Sequence, residues 1–377
     1  MRKIKESVFV VVLLMLVLII SACGAEGVDK DSDPTVADAS EDEEEVAEVD
    51  EDAEYVIKAA QMMTKDDVTV IGTDKFAELV DEKSDGRIRI QWHYGSQLGS
   101  DIETFEAMKN GNLDMAAGSV ANLTTITTAF DPFMLPFLFE SEEQTLNAIG
   151  SEKVHELMAE ELEPNNLKWI SSYDYGGPRV LGTSKEINST DDLKSKKIRA
   201  SRSVMEIAAY ESWGAKGITV DWPETPEALR SGMVDGLGDT YASIHSGNLY
   251  QGGIVNNIVD IPFQWYFMII AMDDSVWNEL PEDLQEVMIE AARESEQYYA
   301  EEKADFVNEN IAEMKEEGLK VTTVPDEELD ELIDVTKDEV WPKFIGESFT
   351  QDTLDLIIEE AGPVEEQGDW GYSVDSK

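Results

Sequence analysis

Residues 196–240 read KKIRASRSVMEIAAYESWGAKGITVDWPETPEALRSGMVDGLGDT, a grammar of strand, helix, strand, helix, strand. Lys197 to Ala200 is a short strand signal. Residues 203–213 then place Val204, Ile207, Ala208 and Trp213 on or near one helical face. Gly214 ends that helix. Residues 218–220 are a buried-strand candidate, Pro223 suits the first turn of a helix, and Gly232 closes that helix ahead of an apolar strand at 233–237. Two βα units in succession predict an α/β fold with a mostly parallel sheet, whose ligands gather at the carboxyl ends of the strands.

Those ends carry chemistry. Arg199 and Arg202 lie at the first strand end, Trp222 at the next and Asp239 after the third. Two guanidinium forks, an aromatic plate and a carboxylate on one sheet edge suit a small organic anion, because Arg grips a carboxylate through two parallel hydrogen bonds. A plainer reading uses the same residues: Arg in a surface ion pair, Trp in the core, Asp239 as the cap of a helix starting at Thr240.

Composition narrows the choice. The chain has 377 residues, 42% hydrophobic, enough for two cores. Arg2, Lys3 and Lys5 precede an unbroken apolar run at 8–20, short for a membrane span and fitting a secretory leader. Cys23, the single cysteine, sits where the lipobox of bacterial lipoproteins requires one, so residues 1–23 resemble a lipoprotein signal whose acylated Cys23 would anchor the chain at the outer face of a membrane. An ordinary signal or an uncleaved anchor is the alternative. With one cysteine there is no internal disulfide.

Residues 24–54 are strongly acidic and low in complexity, which predicts an extended tether. The net charge is −52; with fifteen acids against Lys30 in the tether and a leader of +2, the chain from Tyr55 onward keeps about −40. Such a field argues against nucleic acid or an anionic surface as partner. It also makes clustered arginines informative, since an acidic protein that binds an anion must overcome its own field locally.

Upstream, residues 55–62 read as a strand, 74–83 as a helix, 87–93 as a half-buried strand and 102–109 as a helix. Gly111-Asn-Leu-Asp114 then opens a small-residue strand, and Gly232-Met-Val-Asp235 opens another: a helix end, a glycine free to take positive φ, an apolar residue and an Asp. The recurrence suggests two lobes built to one plan. Residues 131–139 form an apolar crossing segment, 142–162 read as one helix, 264–272 as one aromatic strand, 281–317 as one continuous helix, and 327–345 and 350–360 as closing helices.

Some chemistry is missing. His93, His155 and His245 are scattered without metal-ligand spacing. No nucleophile elbow, P-loop or dinucleotide fingerprint occurs, and no cofactor is expected. Residue chemistry therefore favours a binding protein over an enzyme.

A family resemblance adds to this reading. Ser96-Gln-Leu-Gly99, Gly111-Asn-Leu-Asp114, Leu135-Pro-Phe-Leu-Phe139, Lys197-Ile-Arg199, Trp213-Gly-Ala215, Ala228-Leu-Arg-Ser-Gly232 and Leu280-Pro-Glu-Asp-Leu-Gln285 follow one another with family-like order and spacing. From Tyr55 to about Ile345 the chain resembles the extracytoplasmic solute-binding subunits of tripartite ATP-independent periplasmic (TRAP) transporters, of the dicarboxylate-binding type. The resemblance implies a two-lobed periplasmic-binding-protein fold with hinge strands and a long helix spanning both lobes: residues 55–177 plus about 265–300 in lobe I, residues 178–264 plus the C-terminal helices in lobe II. It implies that Arg199 makes the bidentate salt bridge to a substrate carboxylate, that Arg179 is the family's second Arg, that Trp222 packs on the ligand, and that Met62 and Ser119 are lobe I contacts. Asp239 departs from the pattern, standing where relatives commonly carry an Asn that donates to the ligand; an ionised Asp only accepts. Arg202 is not a usual family contact, and its place in the site is inferred from the strand end alone.

The expected function is capture of a small organic acid outside the cell and its delivery to a sodium-driven TRAP permease. A binding protein serving an ABC importer or a sensor kinase, or a surface enzyme on the same scaffold, remain the alternatives.

Overall fold

The computed structural model describes residues 53–363; the leader, Cys23 and nearly all of the acidic tether lie outside the described residues. Eleven strands form two sheets among these residues. They are β1 (Tyr55–Gln61), β2 (Ile88–His93), β3 (Met115–Ser119), β4 (Leu167–Asp174), β5 (Arg179–Thr183), β6 (Lys197–Ala200), β7 (Lys216–Thr219), β8 (Gly236–Asp239), β9 (Asn257–Gln264), β10 (Phe267–Asp273) and β11 (Lys320–Thr323). The first sheet runs β2-β1-β3-β10-β4 and the second β11-β9-β5-β8-β6-β7. This is the two-lobed α/β architecture.

The sheets are mixed rather than mostly parallel. β1 is parallel to β2 and β3, and β6 is parallel to β7 and β8, whereas β10 and β5 run antiparallel to both of their neighbours. The antiparallel strands are those by which the chain passes between lobes. β4 leads into β5 and β9 into β10, with Asp174 opposite Phe267 and Arg179 opposite Gln264, so two crossing strands lie side by side. Local pattern reports where a strand is, not which sheet it joins.

The recurrent Gly-Asn-Leu-Asp and Gly-Met-Val-Asp segments have one structural role. Gly111 and Gly232 take φ of 70° and 71°, where a side chain is disfavoured. Leu113 and Val234 are buried. Asp114 Oδ2 then accepts the Lys58 N–H of β1 at 2.8 Å, and Asp235 Oδ2 accepts the Lys197 N–H of β6 at 2.9 Å. In each lobe the aspartate ties the third strand to the edge of the first, giving two copies of a three-stranded parallel βαβαβ core.

Three spans differ from the sequence pattern. Residues 142–162 form two helices, Glu142–Gly150 and Glu152–Leu162, because extended Ser151 caps the second by accepting the Val154 N–H and donates to Glu360 at 2.7 Å. The aromatic strand expected at 264–272 is divided: β9 ends at Gln264 and β10 begins at Phe267. The helix expected at 327–345 is Asp326–Glu339, followed by a single 3-10 turn at Trp341–Lys343 around Pro342, which has no N–H to continue the ladder.

The helix Glu282–Glu316 has 35 residues and is about 50 Å long at 1.5 Å per residue. It packs on the helix Thr69–Lys83 and on β4, with Lys83 bonded to Glu290 at 2.7 Å and Glu294 at 2.8 Å. Near its other end Glu313 receives Tyr250 Oη at 2.9 Å and meets His245 Nε2 at 3.1 Å. The helix thus touches β4 of the first sheet at one end and the segment 245–250, which precedes β9 of the second sheet, at the other. Between these ends, buried Lys303 sits against the carboxylates of Asp174 and Glu142. Asp174 also accepts the N–H groups of Gly176 at 2.7 Å and Gly177 at 3.2 Å, which shapes the crossing loop that delivers Arg179.

The core follows the lobes. Phe130, Phe133, Trp169 and Phe267 meet edge to face in the first lobe, and Tyr210, Trp213 and Phe263 do so in the second. Phe137, from the apolar crossing segment, joins the second cluster and donates its N–H to Phe263 O at 2.7 Å.

Candidate functional site

The facing carboxyl ends of the parallel strands line a narrow cleft, with about 280 Å3 of empty space when the solvent at its mouth is included. Met62 and Met63 follow β1, Ser119 ends β3 with Asn122 just after it, and Tyr175 and Tyr266 come from the two crossings. Arg179 begins β5, Arg199 and Ser201 flank the end of β6, Trp222 follows β7, and Asp239 ends β8.

Arg199 is 4% exposed. Its Nε–H donates to Val220 O at 3.0 Å, its Nη1 lies 3.4 Å from Asp239 Oδ2, and its guanidinium stands 5.5 Å from the centre of the Trp222 ring. Asp239 Oδ1 accepts the Tyr266 hydroxyl at 2.8 Å and the Thr240 N–H at 3.0 Å. Burial and the Asp239 charge push the Tyr266 phenol well above its ordinary range, so it stays a donor. Asp239 does not serve as a helix cap: the side chain of Thr240 caps the helix Tyr241–Ser246.

Arg179 is 2% exposed and held in the wall through one end of its guanidinium, while its Nε is buried without a hydrogen-bond partner. Nη1 reaches Glu206 Oε2 at 2.9 Å and Gln264 Oε1 at 3.2 Å, and its guanidinium lies 3.9 Å over the Tyr266 ring, which stacks on Tyr175 at 4.6 Å. Burial opposes the Arg179 charge, but Glu206, then Tyr266 and Asp239, more than offset this and hold its pKa above the ordinary value. Glu206 also accepts the Ser201 N–H at 2.9 Å, the Ser201 hydroxyl at 2.5 Å and the Tyr210 hydroxyl at 2.7 Å. Gly238 makes room for this network, because a Cβ there would stand 2.0 Å from Tyr210 Oη.

Of the residues singled out in the sequence, Arg199, Arg179, Trp222, Asp239, Met62 and Ser119 line the cleft. Arg202 does not. It turns outward and makes a two-point bridge to Asp221, at 3.0 and 2.8 Å, with 39% of its side chain exposed. The strand end is shared by both arginines, but the chain turns at Ser201, sending alternate side chains to opposite sides. The histidines are elsewhere: His155 stacks on Trp169 at 3.8 Å, and His245 pairs with Glu313. Among the described residues no cluster of three or more His, Cys, Asp or Glu is placed to hold a metal.

Glu206, Tyr266, Tyr175, Ser201, Asn122 and Met63 were not singled out in the sequence. Glu206 left a signal: an acid one turn before Tyr210, among Met205, Ala208 and Ala209 in a helix that is otherwise apolar on its inner face. Tyr266 was hidden inside the aromatic run that the chain divides between two strands.

Behind Ser119 and Asn122 stands Asp101, 2% exposed, whose Oδ2 accepts the Ser119 N–H at 3.0 Å and Asn122 Nδ2 at 2.9 Å. Burial pushes its carboxyl from the ordinary 3.8 up to about 6, against the lowering effect of those two bonds. A carboxyl raised on folding stabilises the folded state fully below the unfolded value; that contribution is lost as the pH rises through the folded value. The rise from 3.8 to about 6 corresponds to about 3 kcal/mol. Urea unfolding of Asp101→Asn should therefore gain on the wild type between pH 4 and pH 7; a difference that stays constant with pH would contradict a buried proton.

A cleft between two α/β lobes, walled by a buried guanidinium and aromatic rings and approached from the strand ends, defines a bilobal small-solute receptor. Residues 59–347 match the family described as bacterial extracellular solute-binding protein, family 7, and the chain belongs to that family. A solute-binding protein of Sulfitobacter sp. (strain NAS-14.1) is 25% identical over 306 residues, 81% of this chain and 91% of that protein. A TRAP periplasmic solute-binding protein from Ochrobactrum anthropi, solved with its C-terminus in the ligand-binding pocket, superposes with a TM-score of 0.73 at 27% identity, covering 82% of this chain and 95% of that one. The sugar acid binding protein DctPAm from Advenella mimigardefordensis, solved in complex with galactonate, gives a TM-score of 0.75 at 20% identity over 81% of this chain and 97% of that one. Among the described residues no helix is long and apolar enough to cross a membrane.

Proposed function

We propose that this protein captures a small organic acid in the cleft and hands it to a TRAP-type membrane permease, while held at the outer membrane face by lipid on Cys23 and by the acidic tether at 24–54. The observation that carries the reading is Arg199: a guanidinium 4% exposed at a strand end, with Nε bound to Val220 and no protein acceptor at Nη2 among the described residues. Such a group is suited to a carboxylate, and family membership together with the galactonate held by the Advenella neighbour favours the same class. Met62 and Ser119 would close on the ligand from lobe I, Trp222 would pack on it, and the division into lobes at about 177 and 265 would let the crossing strands act as hinges. No catalytic step is required.

A thermal-shift screen against organic acids tests this. A ligand at a hundred times its Kd adds about 2.7 kcal/mol, a shift of several degrees. A flat response to carboxylates, with a response to neutral sugars or cations, would overturn the assignment.

A further inference from the structure

Arg199, Asp239 and Arg179 line the cleft and Glu206 stands behind Arg179, and all four are at least 96% buried: Arg199 at 4% exposed, Asp239 and Arg179 at 2%, Glu206 at 0%. They cancel in pairs. Arg179 is matched by Glu206 at 2.9 Å and Arg199 by Asp239 at 3.4 Å. The wall therefore carries no net charge, and the charge of Arg199 already has a carboxylate beside it.

The two pairs differ in tightness. The Arg179–Glu206 distance is that of a close charge-assisted bond, whereas 3.4 Å is well beyond the usual 2.7–2.9 Å. Asp239 keeps Oδ1 occupied by Tyr266 and Thr240, but Oδ2 has only the long approach of Arg199. Arg199 and Asp239 thus each keep an edge for a guest, one donating and one accepting.

We propose, building on the reading of the cleft as a carboxylate site, that the ligand is a zwitterion: one carboxylate received by Arg199 and one ammonium group received by Asp239. A simple anion enclosed here leaves an uncompensated negative charge in the closed cleft, and a dianion leaves two; a molecule that brings its own cation leaves none. Burying unpaired charge is what a closed site most strongly rejects. A second carboxylate already registers this field. Asp67, 1% exposed, has its carboxyl raised first by burial, against hydrogen bonds from Thr69 and Ser246, and further by repulsion from Asp239.

Calorimetry on the full chain with matched acids tests the inference: 3-aminopropionate, 4-aminobutyrate and L-alanine against 3-hydroxypropionate, 4-hydroxybutyrate and lactate, with malonate and succinate as dianions. At least one ammonium acid should bind tenfold or more tightly than its hydroxyl counterpart, and the dianions more weakly still. In Asp239→Asn, which keeps an acceptor for Tyr266, that preference should fall at least tenfold and dianion binding should appear. Wild-type protein that favours the hydroxyl acid or the dianion in every matched set overturns the zwitterion while leaving carboxylate capture in place. Binding that survives Arg199→Ala, or no binding by any of the three classes, overturns carboxylate capture and the zwitterion together. Loss of the ammonium preference in Asp239→Asn with an unchanged melting temperature separates recognition from folding.

Discussion

Arg199→Ala should lose carboxylate binding by about 2–5 kcal/mol, roughly thirtyfold to several thousandfold in Kd, the cost of truncating one partner of a buried charged hydrogen bond. The physical reason is local. Its guanidinium is fixed by Nε to Val220 O and flanked by Trp222, so it is oriented before ligand arrives and little ordering entropy is lost on binding. Arg199→Lys keeps the charge but not the planar fork, and should lose an intermediate amount. The melting temperature should fall as well, because the truncation leaves buried Asp239 without its counter-charge and with only Tyr266 and Thr240 as donors. Titration calorimetry of both variants against a carboxylate bound by the wild type gives the comparison; an alanine variant with unaltered Kd would remove Arg199 from the site.

The second large effect concerns folding. Glu206→Gln removes the carboxylate that balances Arg179 while keeping its shape, and breaking a buried pair on one side costs about 3–5 kcal/mol. At about 2–4 °C per kcal/mol for a domain of this order of size, the melting temperature should drop by roughly 10 °C. The double change Glu206→Leu with Arg179→Met should recover most of that loss, since apolar replacement of a whole buried pair is often neutral or better. If the single variant melts with the wild type, Glu206 is not the counter-charge that its 2.9 Å contact indicates. Recovery in the double variant without recovery of ligand binding would separate the two roles of Arg179, wall and recognition.

Much of the fold was legible because it is local. The strand and helix pattern of 196–240 forms β6, β7 and β8 with the helices Val204–Ser212 and Thr225–Arg230 between them. The 35-residue helix stands within a residue of its expected bounds. The misread spans share one cause: at Ser151, at Trp265 and Tyr266, and at Pro342, apolar periodicity continues while the backbone changes direction. In the site, counting along strands locates Arg199, Trp222 and Asp239 at strand ends, and the same count includes Arg202, whose side chain the turn at Ser201 sends outward to Asp221.

Periodicity and turn glycines gave, from the sequence alone, a βαβαβ run at 196–240 with arginines at its first strand end, and the repeated Gly-x-x-Asp suggested a second lobe on the same plan, since each of these depends on neighbours a few residues away. Only the tertiary structure decided which acid meets which base: Asp221 with Arg202, Glu206 with Arg179, Asp239 with Arg199, and Asp174 with Glu142 around Lys303. In so acidic a chain every arginine has many candidate partners. A buried charge is satisfied by whichever carboxylate the packing brings within about 3 Å, and that proximity is a property of the assembled lobes.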